Sequence, residues 1–249
     1  MQGKTVTPLL SDNLPRAPRM KIVSLLLLIL FAAKPASAQQ HDLDSLYVIW
    51  QDPAKADSFR ANAFNFYISE GFLYSNPDTA SILADELIGF CKKKAYPKGQ
   101  GFGLNLKGIV FGIKGNYPKS LDHFTQSLKS QEQMGNQYAI AQSLINLGII
   151  YKEQGDYPKA LDFSTRSLTI AEQLGDQLGV SAALSNLRTI FLLQGNYSKA
   201  LDYSTRSLKI DEQIGDQSGI AAAIGNIWTL KEIKDRTNSP EKFGMVCKK

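Results

Sequence analysis

Residues 155–178 return 40 positions later as residues 195–218, with 17 of 24 positions identical. Gly115, Gly155 and Gly195 keep that interval, as do Tyr117, Tyr157 and Tyr197, and Leu128, Leu168 and Leu208. A chain with a fixed period of this length must stack one supersecondary unit on copies of itself, because no single unit can bury both of its faces. One further step back from Ser120 reaches Ala80. Ala80, Ser120, Ala160 and Ala200 therefore form a column of small residues, and the array extends into "NPDTASILADELIGF", where Asn76 and Pro77 suit a helix start.

Within one period the apolar spacing is helical twice. Leu144, Leu147, Gly148 and Tyr151 fall at i, i+3, i+4 and i+7 and lead to a turn at Gly155 and Asp156; Ala160, Leu161, Ser164, Leu168 and Ala171 form a second stripe that ends at Gly175 and Asp176. Each period is expected to be an antiparallel helix pair. Glycine frees the backbone at the turns, and the small residues at the 148 and 160 slots let two helices approach closely. The expected fold class is all-α, a curved solenoid of helix pairs.

Upstream of the array, residues 20–38 read "MKIVSLLLLILFAAKPASA", with a positive start, an apolar run from Ile22 to Ala33, and Ala36 and Ala38 on either side of Ser37. This is the pattern of a secretory signal peptide cleaved after Ala38, which places the mature protein in the periplasm or outside the cell. The apolar run is well short of the roughly 20 residues a spanning helix needs. No stable membrane anchor is expected after cleavage, and residue 39 is Gln, so no thiol is available there for lipid attachment. Residues 1–19 read as an upstream extension, with Met20 as the start. The formal net charge of +5 falls to about +1 once cleavage removes five basic residues and one acidic residue, which excludes nucleic acid as the partner. Cys91 lies in a helical pattern and Cys247 in the tail, and the two are expected to remain unpaired.

Catalysis finds little support. The stretch "KGQGFGLNLKG", with Gly99, Gly101 and Gly103, resembles a phosphate loop in composition, but such a loop follows a strand and residues 82–94 read as a helix. Tight helix packing is the better reading. His41 and His123 cannot form a metal or triad cluster, so neither a metal nor a cofactor is expected. Asp156, Asp176 and Asp216 recur at turns, where capping accounts for them. Ser164, Thr165, Arg166 and Ser167, with their copy at 204–207, sit mid-helix and read as helix-surface residues whose hydroxyls back-bond to the chain.

The pattern "LINLGIIYKEQGDYPKAL", with Leu147, Gly148, Tyr151, Gly155, Tyr157 and Ala160, resembles the tetratricopeptide repeat in its longer, 40-residue form. The resemblance implies a right-handed superhelical solenoid, and it covers roughly residues 60–235. HEAT and armadillo arrays have a similar period but lack this glycine–tyrosine turn. The stretch "NAFNFYISEGFLYSNPDTASILADEL" further resembles the exported N-terminal region of bacterial sensors that place such repeats ahead of a histidine kinase or nucleotide cyclase domain, although neither kinase nor cyclase residues are present.

Opposite the core stripe of each first helix runs a second stripe. It comprises Gln142, Ile145, Asn146, Ile149 and Glu153, then Ala182, Ser185, Asn186, Thr189 and Leu193, then Ala222, Gly225, Asn226 and Thr229. In a solenoid these stripes align on the concave face. An amide side chain donates and accepts at once, so Asn146, Asn186 and Asn226 suit an extended ligand backbone, and the resemblance implies that asparagines at this slot hold a peptide main chain. Asn as a packing residue between helices is the competing reading. The basic residues with which some family members clamp a terminal carboxylate are missing, since Gln142, Ile145, Ala182 and Ala222 fill those slots; a neutral, partly apolar segment fits better.

The organisation expected from these readings is a signal peptide at 1–38, a lead-in at 39–59, a solenoid at 60–235 and a tail at 236–249. The solenoid divides into units at about 60–98, 99–137, 138–177 and 178–217, with a partial unit at 218–235. In that last unit Asp235 replaces the turn glycine and no second helix follows. The apolar face of Ile224, Ile227, Trp228 and Leu230 is then half covered, which makes it a candidate self-association surface. The function expected is a non-catalytic scaffold for a protein or peptide partner. The alternatives are the input fragment of a kinase or cyclase sensor and a structural spacer in an envelope assembly.

Overall fold

The computed structural model describes residues 36–238. Most of the expected signal peptide, its upstream extension, Cys247 and most of the tail lie outside the described residues. Those described form ten α-helices and no strand: α1 (Ala36–Gln51), α2 (Asp57–Gly71), α3 (Pro77–Lys93), α4 (Pro97–Ile113), α5 (Tyr117–Gln133), α6 (Gln137–Glu153), α7 (Tyr157–Leu174), α8 (Gln177–Leu193), α9 (Tyr197–Ile214) and α10 (Gln217–Asn238). Each helix packs on the next along the chain, and the result is a helical solenoid of stacked pairs.

The six turns from α4 to α10 use the same devices. Gly115, Gly135, Gly155, Gly175, Gly195 and Gly215 hold φ between 64° and 79°, the left-handed conformation that closes a helix and that glycine adopts without steric cost. The following residue caps the next helix: the side chains of Asn116, Asn136, Asp156, Asp176 and Asn196 each accept a backbone N–H three residues on, at 3.1–3.5 Å. The expected capping role of Asp156 and Asp176 is thus observed, and Asp216 accepts the N–H of Ser218 at 3.0 Å. Ala95, at φ 52°, is the one non-glycine in this conformation among the described residues.

Ala80, Ser120, Ala160 and Ala200 are fully buried. The residues facing this column show why it must stay small. A Cβ on Gly108 would lie 2.5 Å from the Phe124 ring, and one on Gly148 would lie 2.5 Å from Ser164 Oγ. The glycine-rich stretch obeys the same logic. It opens α4 directly after α3, and Cβ atoms on Gly99, Gly101 and Gly103 would collide with Cys91, Gln131 and Ile88. This is a packing surface. Burial pushes the Cys91 thiol up to about 12, which leaves it unreactive.

The serines correct the sequence reading. Ser164, Ser167, Ser204 and Ser207 are buried rather than on the helix surface. Ser164 and Ser204 do back-bond to the carbonyls of Ala160 and Ala200 at 2.6 and 2.9 Å, but Ser167 donates across the helix interface to the Ala141 carbonyl at 2.8 Å, as Ser127 does to Gly101 at 2.9 Å. A hydroxyl that finds a carbonyl on the neighbouring helix can be buried at little cost, and its small size keeps the helices close.

The lead-in carries structure that the repeat pattern does not reveal. Residues 36–51 form α1, and Trp50, 4% exposed, stacks on Phe64 at 4.1 Å and meets the edge of Phe90 at 4.6 Å. Arg60 ties the same corner: its Nε donates to the Trp50 carbonyl at 2.9 Å, and its guanidinium lies 4.9 Å from the Phe90 ring.

Where α8, α9 and α10 meet, Asp211 is 3% exposed. Its carboxylate accepts the hydroxyls of Ser181 at 2.8 Å and Ser207 at 3.3 Å, and no cation among the described residues forms an ion pair with it. Burial raises its pKa first, Asp216 adds to the rise, and the two hydroxyls oppose it. A raised folded-state pKa contributes stability that is complete below the ordinary carboxylate range and is lost as pH rises through the folded value. Asp211→Asn is therefore expected to gain stability relative to the parent as melts are taken from about pH 4 to pH 8. A difference independent of pH, or one of opposite slope, would contradict this.

Candidate partner-binding face

The first helices of the pairs, α4, α6 and α8, touch one another directly as well as through their partners. They form the inner row, and the stripe along them is the candidate site. Its members by helical spacing are Tyr138, Gln142, Ile145, Asn146, Ile149 and Glu153 on α6, and Leu178, Ala182, Ser185, Asn186, Thr189 and Leu193 on α8. Gln142 and Ala182 are exposed, while Ile149 and Thr189 are half-buried. Tyr138, Leu178 and Leu193, at 52%, 56% and 49% exposure, give the row an apolar component at both ends. The repeat pattern marks Leu193 but neither Tyr138 nor Leu178, each of which lies one turn before the first residue of its stripe.

The three asparagines occupy one slot in sequence and two environments in space. Asn146 is half-buried, and its Nδ2 donates to Asn105 Oδ1 at 2.9 Å, a bond between the facing helices α6 and α4. Asn105 escapes a search at the 40-residue interval because it lies 41 residues back. Asn186 is only 2% exposed. Its Nδ2 donates to Ser164 Oγ at 2.7 Å in the gap left by Gly148, and its Oδ1 has no partner. Asn226 is half-buried on α10. Asn146 thus reaches the surface of the row, whereas Asn186 lies within the packing between helices. Thr189 Oγ1 donates to the Ser185 carbonyl at 2.9 Å, which leaves its oxygen able to accept.

Two cations within the helix layers were not visible as a site in the sequence. Lys152 is 4% exposed with its ammonium 3.3 Å from Glu153, and Arg188 is half-buried on α8. Burial lowers the Lys152 pKa, Glu153 offsets part of that, and Arg188 lowers it further; burial also lowers that of Arg188. Among the described residues no group of three metal-binding side chains occurs, and no helix is long and apolar enough to cross a membrane.

Comparison with known proteins agrees with this geometry. Residues 103–173 and 139–213 match the family described as Tetratricopeptide repeat. No curated protein matches the chain. Among solved structures it is similar to the signal transduction ATPase with numerous domains from Pyrococcus horikoshii that carries a tetratricopeptide repeat sensor, at a TM-score of 0.62 and 16% identity over 77% of this chain and 30% of that one. It is similar to aspartyl phosphate phosphatase F from Bacillus subtilis, at 0.61 and 16% over 79% of this chain and 58% of that one. It is also similar to BtubC (BKLC) from P. vanneervenii, at 0.57 and 14% over 72% and 74%. The chain spans less than two thirds of the ATPase and of the phosphatase, and at these identities the likeness is one of fold. The family match lies within α4 to α9, and repeats of this kind generally mediate protein–protein interactions.

Proposed function

We propose that the protein is an exported, non-catalytic scaffold that holds a neutral, partly apolar protein segment along the inner row of first helices. The observation that carries this reading is the composition of the uncovered stripe. Gln142, Asn146, Ser185 and Thr189 offer neutral donors and acceptors, while Tyr138, Ile149, Leu178 and Leu193 offer apolar contact, with Glu153 the one charge in the stripe of α6 and α8. Such a surface suits an extended main chain with small or apolar side chains and disfavours a charged one. Export rests on the signal-peptide pattern. Mass spectrometry of the protein from its native envelope is expected to find Gln39 at the N-terminus, and a species that keeps Met20 would contradict it.

The groove is tested with the double variant Asn146→Ala and Asn226→Ala, which spares the buried Asn186. Partner binding is expected to weaken roughly tenfold, the loss of one or two net hydrogen bonds, while far-UV circular dichroism stays helical. Unchanged affinity would assign both amides to helix packing and move the functional surface elsewhere.

A further inference from the structure

A column of stacked rings recurs along the array. Phe111, Tyr151 and Phe191 stand 40 residues apart on the first helices α4, α6 and α8. Each stacks face to face on a ring of the helix that follows it: His123 at 5.2 Å, Phe163 at 5.4 Å and Tyr203 at 5.5 Å between centroids, with planes within 7° of parallel. Each first ring also lies near a lysine, Lys119, Lys159 or Lys199, at 4.8–5.3 Å from its centroid. In one layer alone the outer ring is an imidazole.

That imidazole is placed for its neutral form. His123 is half-buried, and its Nδ1 is buried with no hydrogen-bond partner among the described residues. In a neutral ring with its proton on Nε2, Nδ1 is a bare acceptor. In the imidazolium both nitrogens carry N–H groups, and the one on Nδ1 has no acceptor to meet. A buried donor without a partner costs the desolvation of that group. The added charge also arrives among lysines. Lys107 of α4, Lys119 and Asp122 of α5 and Asp85 of α3 act on the ring, and Asp85 is already engaged by Lys107 at 2.5 Å. A cation over an aromatic face is ordinarily favourable, but Phe111 already has the Lys119 ammonium 5.3 Å from its centroid, so a second cation there meets the first.

We propose that His123 makes the α4–α5 pair an acid-sensitive joint of the array, closed while the ring is neutral and loosened as the ring takes up a proton. Burial holds the His123 pKa below its ordinary 6.5, Lys107 and Lys119 lower it further, and Asp122 and Asp85 oppose them. A folded-state pKa below the unfolded one contributes stability that is complete above the ordinary imidazole range and is lost as pH falls through the folded value. α4 also carries Asn105, which holds Asn146 at 2.9 Å, so the joint adjoins the candidate partner face. Its test uses no partner, so its failure and that of the groove reading are separable.

Denaturant melts of the parent and of His123→Phe, which copies the Phe163 layer, are compared from about pH 7.5 to about pH 5. The folding constant of the parent is expected to fall severalfold relative to that of the variant across this range. The comparison cancels Asp211, whose pH dependence has the opposite sign. Hydrogen exchange, corrected for the intrinsic rate at each pH, should show the loss first in α4 and α5. His123→Tyr, which copies the Tyr203 layer, is the second variant and should behave alike. A difference between parent and variants that is independent of pH overturns the proposal, as does a parent that gains on them in acid. Protection lost evenly across all ten helices overturns the assignment to this joint.

Discussion

Trp50→Ala is expected to cost about 3–5 kcal/mol, the usual range for truncating a buried large aromatic. Trp50 is 4% exposed and lies against Phe64, itself fully buried, and against Phe90, so its removal leaves a cavity bounded by α2 and α3. The cost should be high because the surrounding corner is held in place: the Trp50 carbonyl accepts the Arg60 guanidinium, which also covers the Phe90 ring. Denaturant titration gives the magnitude. Hydrogen exchange localises it, with protection lost first across α1 and α2. A loss below about 1 kcal/mol would mean that α1 lies on the solenoid without contributing to its core.

Ala160→Phe is expected to destabilise by about 1–3 kcal/mol through overpacking. Ala160 is fully buried, its carbonyl accepts Ser164 Oγ at 2.6 Å, and that carbonyl lies 3.3 Å from where a Cβ on Gly148 would be. A ring at this position has no room unless α6 and α7 separate. Glu172→Gln is the matched control. Glu172 is exposed and pairs with Arg206 at 3.1 Å across two repeats, a surface ion pair whose loss should stay within about 1 kcal/mol. Equal effects at both sites would mean that the small-residue column does not set the helix spacing.

The turns and the small-residue column were legible in the sequence because each has a local cause repeated several times over. A left-handed residue calls for glycine, and a helix spacing set by Gly148 calls for Ala160 opposite. α1 was missed although Leu43, Leu46, Tyr47 and Trp50 stand at i, i+3, i+4 and i+7, because that stripe lies outside the period on which the reading rested. The serines were misplaced for a different reason: polarity suggests exposure, while burial was decided by carbonyls on a neighbouring helix, such as that of Ala141, which only the packed structure brings within reach. Asn146 and Asn186 show where the candidate site exceeds a one-dimensional reading. Letter and slot are the same, but Gly148 leaves an opening that draws the Asn186 amide inward, while Asn146 meets Asn105 nearer the surface. At the far end α10 runs through Asp235 to Asn238, into the stretch expected as tail.

The central claim is that the inner row of first helices carries the partner. It is tested most directly by placing a photo-crosslinking residue at Gln142 or Ala182, exposed on α6 and α8, and at Asp162 or Asp202, exposed on the second helices α7 and α9. In cells of the native host the first two positions are expected to yield the same discrete adduct and the last two none. An adduct confined to Asp162 and Asp202 would contradict the account and place the partner on the opposite face.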